Sequence, residues 1–304
     1  MQVARLWFTF VLAALLPATP SAAAPELRAK VPTGSGPCGA ASGFGSVWVA
    51  VYGTGRLVRI DPQTNRVVQR VRIARGICPL AIAAGSVWVA SDKTDVVYRV
   101  DPRRGRILAR FRVSHWPAHL ATGPGRVWVS SFEHGHVTEI STRTNRMIRV
   151  YRFAGNPSGL ARTGGNLWVA FGRTGKTLAR VDIATHRITH VPIGHAGAGF
   201  LSALGGSLWT TTSDGYAVRV DALTGRVMAT FAIRGTPAEV GAAPDGTIWV
   251  AEKERDTITR IDPVANRVID VIAAGDRALS IAVAGGDMWV TNFADSDVWR
   301  FAGS

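Results

Sequence analysis

The sequence predicts an all-β protein: a seven-bladed β-propeller with four antiparallel strands per blade, closed by an N-terminal strand that completes the last blade. Three observations carry this. Tryptophan recurs at 48, 88, 128, 168, 209, 249 and 289, so the spacings are 40, 40, 40, 41, 40 and 40. These indoles sit in short apolar runs behind a glycine-containing turn, as in Gly45-Ser46-Val47-Trp48-Val49, Gly85-Ser86-Val87-Trp88-Val89, Gly165-Asn166-Leu167-Trp168-Val169 and Gly286-Asp287-Met288-Trp289-Val290. The two chain ends also complement each other: the seventh repeat stops at Phe301 to Ser304, after its third strand, and a strand-like segment precedes the first repeat.

In chain order, residues 1–23 read as a signal peptide. Arg5 supplies a positive start, and Leu6 to Leu16 is an apolar run too short to span a bilayer. Ser21 and Ala23 occupy the −3 and −1 positions of a cleavage site after Ala23. No later stretch is long and apolar enough to anchor the chain. The expectation is a secreted or periplasmic monomer in which residues 24–304 form one propeller domain.

Glu26 to Pro32 resembles the outermost strand of other repeats, for example Arg187 to Pro192, and is expected to serve as the missing outer strand of blade 7. Each repeat then reads as four strands. Strand A is a small-residue and aliphatic run such as Pro79-Leu80-Ala81-Ile82-Ala83. Strand B carries the Trp and is apolar on both faces, because a blade is sandwiched between two neighbours. Its indole is expected to fill the space between blades rather than stack on a ligand. Strand C alternates, as in Val97-Tyr98-Arg99-Val100. An Asp-Pro-x-x-(Asn/Gly)-Arg turn follows in Asp61 to Arg66, Asp101 to Arg106 and Asp262 to Arg267. There Asp caps backbone N–H groups, Pro presets φ, and Asn or Gly takes the left-handed conformation before strand D. Helical spacing of three and four is absent.

Composition adds an asymmetry. The net charge is +14, yet residues 24–152 hold 20 Lys/Arg against 7 Asp/Glu, and residues 153–304 hold 14 against 14. Only four of the 35 basic residues are Lys, a bias that a GC-rich genome explains; it does not explain the split between halves. The excess lies on strands D, at Arg66, Arg70, Arg72, Arg106, Arg110, Arg112, Arg146, Arg149 and Arg152. Charge there guards sheet edges, but edge protection alone predicts equal charge on blades 4 to 6. The expected partner is an anionic cell-envelope polymer or a protein. Nucleic acid is not expected, because an aromatic stacking track is missing.

Cys38 and Cys78 both precede their Trp by ten residues, at equivalent places where strand A begins beside the channel. A disulfide stitching blades 1 and 2 is expected if their Cα atoms lie within ~7 Å. Two free thiols and a two-thiolate metal site are the alternatives. His115, His119, His134 and His136 stand in or beside connections that emerge on one face, with Glu133 next to them. They make a candidate zinc or copper site; solvent-exposed or singly hydrogen-bonded imidazoles are the other reading, and no cofactor is needed for it. Glu252, Glu254 and Asp256 follow Trp249, where they either face the histidines across the channel mouth or form a solvated loop balanced by Lys253 and Arg255.

The Gly-x-(Val/Leu/Ile)-Trp-Val-Ala strand followed by Arg-(Val/Ile)-Asp-Pro-x-(Thr/Ala)-(Gly/Asn)-Arg-Val resembles the bacterial YVTN-type propellers and the related streptogramin B lyases. The resemblance covers nearly all of residues 26–304 and specifies fold better than activity. YVTN-type relatives imply an envelope or secreted binding protein. The lyases imply linearisation of cyclic depsipeptides by a divalent cation with His and Glu at the channel mouth, using a His near the start of strand A and a carboxylate three residues after the Trp. His119 matches the first place, but Ser131 stands at its second; Glu252 matches the second, but Ala238 and Glu239 stand at its first. With His119 and Glu252 on distant blades, the expected function is a non-catalytic binding scaffold. A lyase-like or other metal-dependent enzyme is the alternative.

Overall fold

The computed structural model describes residues 24–303. The expected signal peptide, residues 1–23, lies outside them. Strand β1 is Leu27–Pro32. Blade 1 is β2 (Pro37–Gly43), β3 (Ser46–Val51), β4 (Arg56–Asp61) and β5 (Arg66–Arg72). Blade 2 is β6 (Ile77–Ala83), β7 (Ser86–Ser91), β8 (Val96–Val100) and β9 (Ile107–Arg112). Blade 3 is β10 (Pro117–Gly123), β11 (Arg126–Ser131), β12 (His136–Ser141) and β13 (Arg146–Arg152). Blade 4 is β14 (Pro157–Thr163), β15 (Asn166–Phe171), β16 (Thr177–Asp182) and β17 (Ile188–Pro192). Blade 5 is β18 (Ala198–Leu204), β19 (Ser207–Thr212), β20 (Tyr216–Asp221) and β21 (Val227–Ala232). Blade 6 is β22 (Pro237–Ala242), β23 (Ile248–Glu252), β24 (Thr257–Asp262) and β25 (Arg267–Ala273). Blade 7 is β26 (Ala278–Ala284), β27 (Asp287–Asn292) and β28 (Asp297–Phe301), and β1 pairs with β28 as its fourth strand. The ring closes as the sequence predicts, with Lys30 opposite Trp299 and Val31 opposite Val298.

The seven repeat tryptophans are 0–1% exposed. Trp88 packs with Phe111 of its own blade and with Leu120, Val127 and Val129 of the next, and Trp289 reaches Val47 and Val49 across the closure. They fill the gaps between blades. The turn aspartates behave as caps: Asp61, Asp101 and Asp262 each accept the amide two residues on, all at 2.8 Å. These amide bonds hold all three carboxyls below the usual range. Asn65, Gly105 and Asn266 take the left-handed conformation, at φ 57°, 64° and 50°.

Arginine has a second job here. Arg99, Arg180, Arg219 and Arg300 on strands C lie over their own blade's Trp, with guanidinium carbons 5.3 to 5.7 Å from the ring. Their Nη1 atoms then donate into the following blade's turn: Arg99 to Thr142 O and Asn145 Oδ1, Arg180 to Leu223 O, Arg219 to Pro263 O and Asn266 Oδ1, Arg300 to Pro62 O and Asn65 Oδ1. Blade 3 has Glu139 in this position. It is buried against Arg126 and Tyr151, and the Tyr151 hydroxyl meets His186 of the next turn at 3.1 Å. Part of the arginine count is thus structural latching.

Candidate functional site

The inner strands of all seven blades line an axial channel. At the third residue of each they present Gly39, Pro79, His119, Gly159, Phe200, Glu239 and Ser280. Two of these are glycine by necessity. A Cβ on Gly39 would lie 2.0 Å from Cys78 O, and one on Gly159 would lie 2.5 Å from Leu201 N. A funnel of about 500 Å³ is walled by residues of every blade, including Ser42, Thr122, Arg162 and Ser202. A smaller cavity of about 70 Å³ adjoins it, lined by Cys38, Cys78, Phe200, Leu279 and Ser280. His119 and Glu239 line both.

These two side chains are already engaged. His119 Nδ1 accepts the Leu160 amide of blade 4 at 3.2 Å, and the ring lies edge-on to Phe200 at 6.4 Å. Accepting at Nδ1 puts the proton of the neutral ring on Nε2. Burial pushes the imidazole down to about 4. The Glu239 carboxyl accepts from the Ser280 hydroxyl and the Ile281 amide of blade 7. Burial pushes it up to about 7, against the lowering effect of those two bonds. Ser280 in turn accepts the Ala40 amide of blade 1 at 3.0 Å. In three blades, therefore, the side chain at the third inner-strand position caps an amide of the following blade.

The cysteines are joined as a disulfide with Cα atoms 5.1 Å apart, and they form one wall of the small cavity. Three of the four candidate metal-binding histidines come together on the loop side of blade 3. His115 and His134 have ring centroids 6.1 Å apart, and His134 and His136 have theirs 6.3 Å apart. His115 Nδ1 is 3.1 Å from Asp95, and His136 Nδ1 is 2.6 Å from the Ser114 hydroxyl. His119 is apart from them, inside the channel. Among the described residues no three His, Cys, Asp or Glu side chains are placed to hold one ion. His119 has one nitrogen accepting an amide and the other carrying a proton, so the channel does not fit the divalent cation that the lyase resemblance implies.

Glu252 does not line the channel cavity. It is fully buried at the end of β23, where the Thr259 hydroxyl donates to Oε1, and burial raises its carboxyl above the usual range. Glu254 is exposed and Asp256 half-buried beyond it. The acid that shares a cavity with His119 is Glu239, which the sequence marks only as standing where a histidine is expected. Lining up the repeats by the third residue of strand A would have singled it out. It and His119 are the two titratable residues in a ring otherwise built from Gly, Pro, Phe and Ser. Eight of the nine arginines expected on strands D of blades 1 to 3 lie there, whereas Arg106 precedes β9 in the turn. All nine are exposed, and within that set only Arg106 approaches a carboxylate, Asp101 at 4.0 Å.

No family model matches the chain, the YVTN type included, and no curated protein matches it. Solved structures do. A chain of Kuenenia stuttgartiensis hydrazine synthase superposes with a TM-score of 0.79 at 15% identity, covering 89% of this chain and 97% of that one. A streptogramin B lyase does so with a TM-score of 0.79 at 15% identity, covering 91% and 97%. The virginiamycin B lyase of Staphylococcus aureus gives 0.79 at 17% identity, covering 92% and 99%. Identity this low shows shared architecture and leaves activity open, all the more because the same fold serves two unrelated chemistries. The chain is a seven-bladed propeller of the architecture found in these lyases and in that hydrazine synthase chain.

Proposed function

We propose that the chain is an exported, non-catalytic propeller that binds an anionic envelope polymer through the outer strands of blades 1 to 3. The observation that carries this reading is the run of nine exposed arginines, eight on the three adjacent outer strands and Arg106 immediately before β9. All but Arg106 are without a carboxylate within ion-pair range among the described residues. The arginines that latch one blade to the next lie elsewhere, on strands C. Export is supported by the Cys38–Cys78 disulfide. Among the described residues no helix is long and apolar enough to cross a membrane. The channel argues for the same side: its His119 and Glu239 are already engaged in capping backbone amides of the following blades.

Chromatography on an anionic resin tests it. Retention falls steeply with salt, and changing Arg70, Arg72, Arg110 and Arg112 to Gln lowers it more than changing Arg226 and Arg267. Equal effects from both sets would remove the rim as the binding surface. A second reading has its own observation: His119 and Glu239 line one cavity, where burial pushes the imidazole down to about 4 and the carboxyl up to about 7. It makes the protein a channel enzyme. Turnover of a streptogramin B that is lost in Glu239→Gln would establish it in place of the first.

A further inference from the structure

The seven outer strands do not present equal edges. In blades 1, 2, 3, 5 and 6 the pairing of strand D with strand C shifts register, leaving Val68, Leu108, Ile148, Met228 and Ile269 as extra residues. In blade 7 the shift falls at Arg28. Such bulges twist an edge and discourage further pairing. Strand β17 of blade 4 is the exception. It pairs with β16 in continuous register, from Ile188 opposite Val181 to Pro192 opposite Thr177. It carries no Lys, Arg, Asp or Glu, and every residue but Val191 is exposed.

The hydrogen-bond phase of this edge follows from its two ends. The Ile193 amide donates to Lys176 O, and the Asp182 amide donates to Arg187 O. Antiparallel alternation between these ends makes Val191 and Thr189 the inward-bonded residues and turns the N–H and C=O of Ile188 and His190 outward. The same two residues line a cavity of about 380 Å³ between blades 3 and 4, where the His190 ring lies 6.4 Å from that of Phe171. Phe153 and Phe171 form part of its wall with ring centroids 5.4 Å apart, and the exposed Arg152, without an ion pair among the described residues, stands in the same lining.

We propose that the β17 edge is a strand-addition site for an extended peptide segment of a partner protein. Its main chain pairs with Ile188 and His190, an apolar or aromatic side chain enters the cavity against Phe153 and Phe171, and an acidic side chain meets Arg152. Pro192 has no N–H and ends the pairing, so the added strand is short. A glycan lacks the regular alternation of donor and acceptor that this edge offers, which is why the occupant is a peptide. The site shares Arg152 with the arginine rim, while the unbulged strand edge and the cavity wall of Phe153 and Phe171 belong to it alone.

The test uses capped hexapeptides Glu-Thr-X-Thr-Val-Thr in which X runs over every amino acid. Binding is followed by calorimetry, with hydrogen exchange of the protein read residue by residue. The expected result is binding below about 1 mM for aromatic or large apolar X, with slowed exchange at the Ile188 and His190 amides. Affinity should drop at least about tenfold in His190→Pro, which removes an outward N–H, and in Ile188→Lys, which leaves the backbone intact. Silence across the whole panel overturns the proposal, as does protection elsewhere or undiminished binding by a folded Ile188→Lys protein. Polygalacturonate is the second probe. If it alone slows exchange at Ile188 and His190, the edge belongs to an anionic polymer and the peptide proposal is wrong.

Discussion

Arg28, in the strand supplied by the N-terminus, donates through Nη1 to both carboxylate oxygens of Asp287, at 2.7 and 2.9 Å, across 259 residues of sequence. Arg300 of β28 reaches the same carboxylate through Nε at 2.5 Å. Asp287 thus clasps the two strands whose pairing closes the ring. Burial raises its carboxyl, and the bonds from Arg28 and Arg300 more than offset this, leaving it lowered. The Asp287 side chain is 3% exposed and that of Arg28 is 46% exposed. Asp287→Ala is therefore expected to cost about 3 kcal/mol, because it leaves the largely buried Arg300 guanidinium without its carboxylate, though still bonded to the turn of blade 1. Arg28→Ala should cost about 1 kcal/mol. Urea unfolding measures both; equal costs would show that the clasp does not hold the closure.

The channel pair predicts opposed pH dependences. His119 has a folded pKa of about 4, below its ordinary 6.5, so the unfolded chain binds more protons between these values. Stability from this group rises with pH across that window by about 1.4 kcal/mol per pH unit. Glu239 has a folded pKa of about 7, above its ordinary 4.5, so the folded chain holds the extra proton and stability falls as pH rises from 4.5 to 7. The two slopes cancel between pH 4.5 and 6.5, and the parent protein is expected to be flat there. Glu239→Gln keeps an acceptor for the Ile281 amide and removes one slope. It should gain about 3 kcal/mol on the parent between pH 4 and pH 8. Parallel stability curves for parent and variant would mean that Glu239 is solvated.

The fold was legible because a buried indole every forty or so residues is a signal that local context cannot imitate. Turn chemistry at Asp61, Asp101 and Asp262 confirmed it strand by strand. The pairing of Cys38 with Cys78 was legible for the same reason, since equivalent positions in adjacent repeats are neighbours in space. Glu252 was harder to read. Three residues past Trp249 it has the sequence position of a channel-mouth acid, yet the end of β23 is buried away from the channel cavity, and the Thr259 hydroxyl donates to it there. The strand-C arginines look like surface charge in an alternating pattern. Their latching role depends on where the next blade's turn lies, which no single repeat encodes.

That role yields a paired prediction. Arg99 bonds two acceptors in blade 3, Thr142 O and Asn145 Oδ1, both at 2.7 Å. Arg59 holds the equivalent place in blade 1, where its Nε bonds Ser46 of the same blade, and the facing turn of blade 2 has Gly105 instead of Asn. Arg99→Ala should cost about 1–3 kcal/mol and Arg59→Ala well under half as much. Asn145→Gly should recover part of the Arg99 effect and lose nothing further in an Arg99→Ala background. Additive losses in the double variant would show that the two side chains do not act together.

The junction between blades 1 and 2, where Arg59 makes no latch, is the one that carries the disulfide. Across it the Tyr52 hydroxyl also donates to Asp92 at 3.0 Å. The Cys38–Cys78 bond closes a loop spanning a sequence separation of 40, for which loop-closure entropy gives about 2–4 kcal/mol. Its loss is expected to open this junction before junctions 2–3, 4–5, 5–6 and 7–1, which keep their arginine latches. In a Cys38→Ala/Cys78→Ala protein, hydrogen exchange should therefore quicken first in the inner strands β2 and β6, well before global unfolding. Uniform acceleration around the ring would mean that the bond acts only on the unfolded chain, and that the seven junctions are equally strong without it.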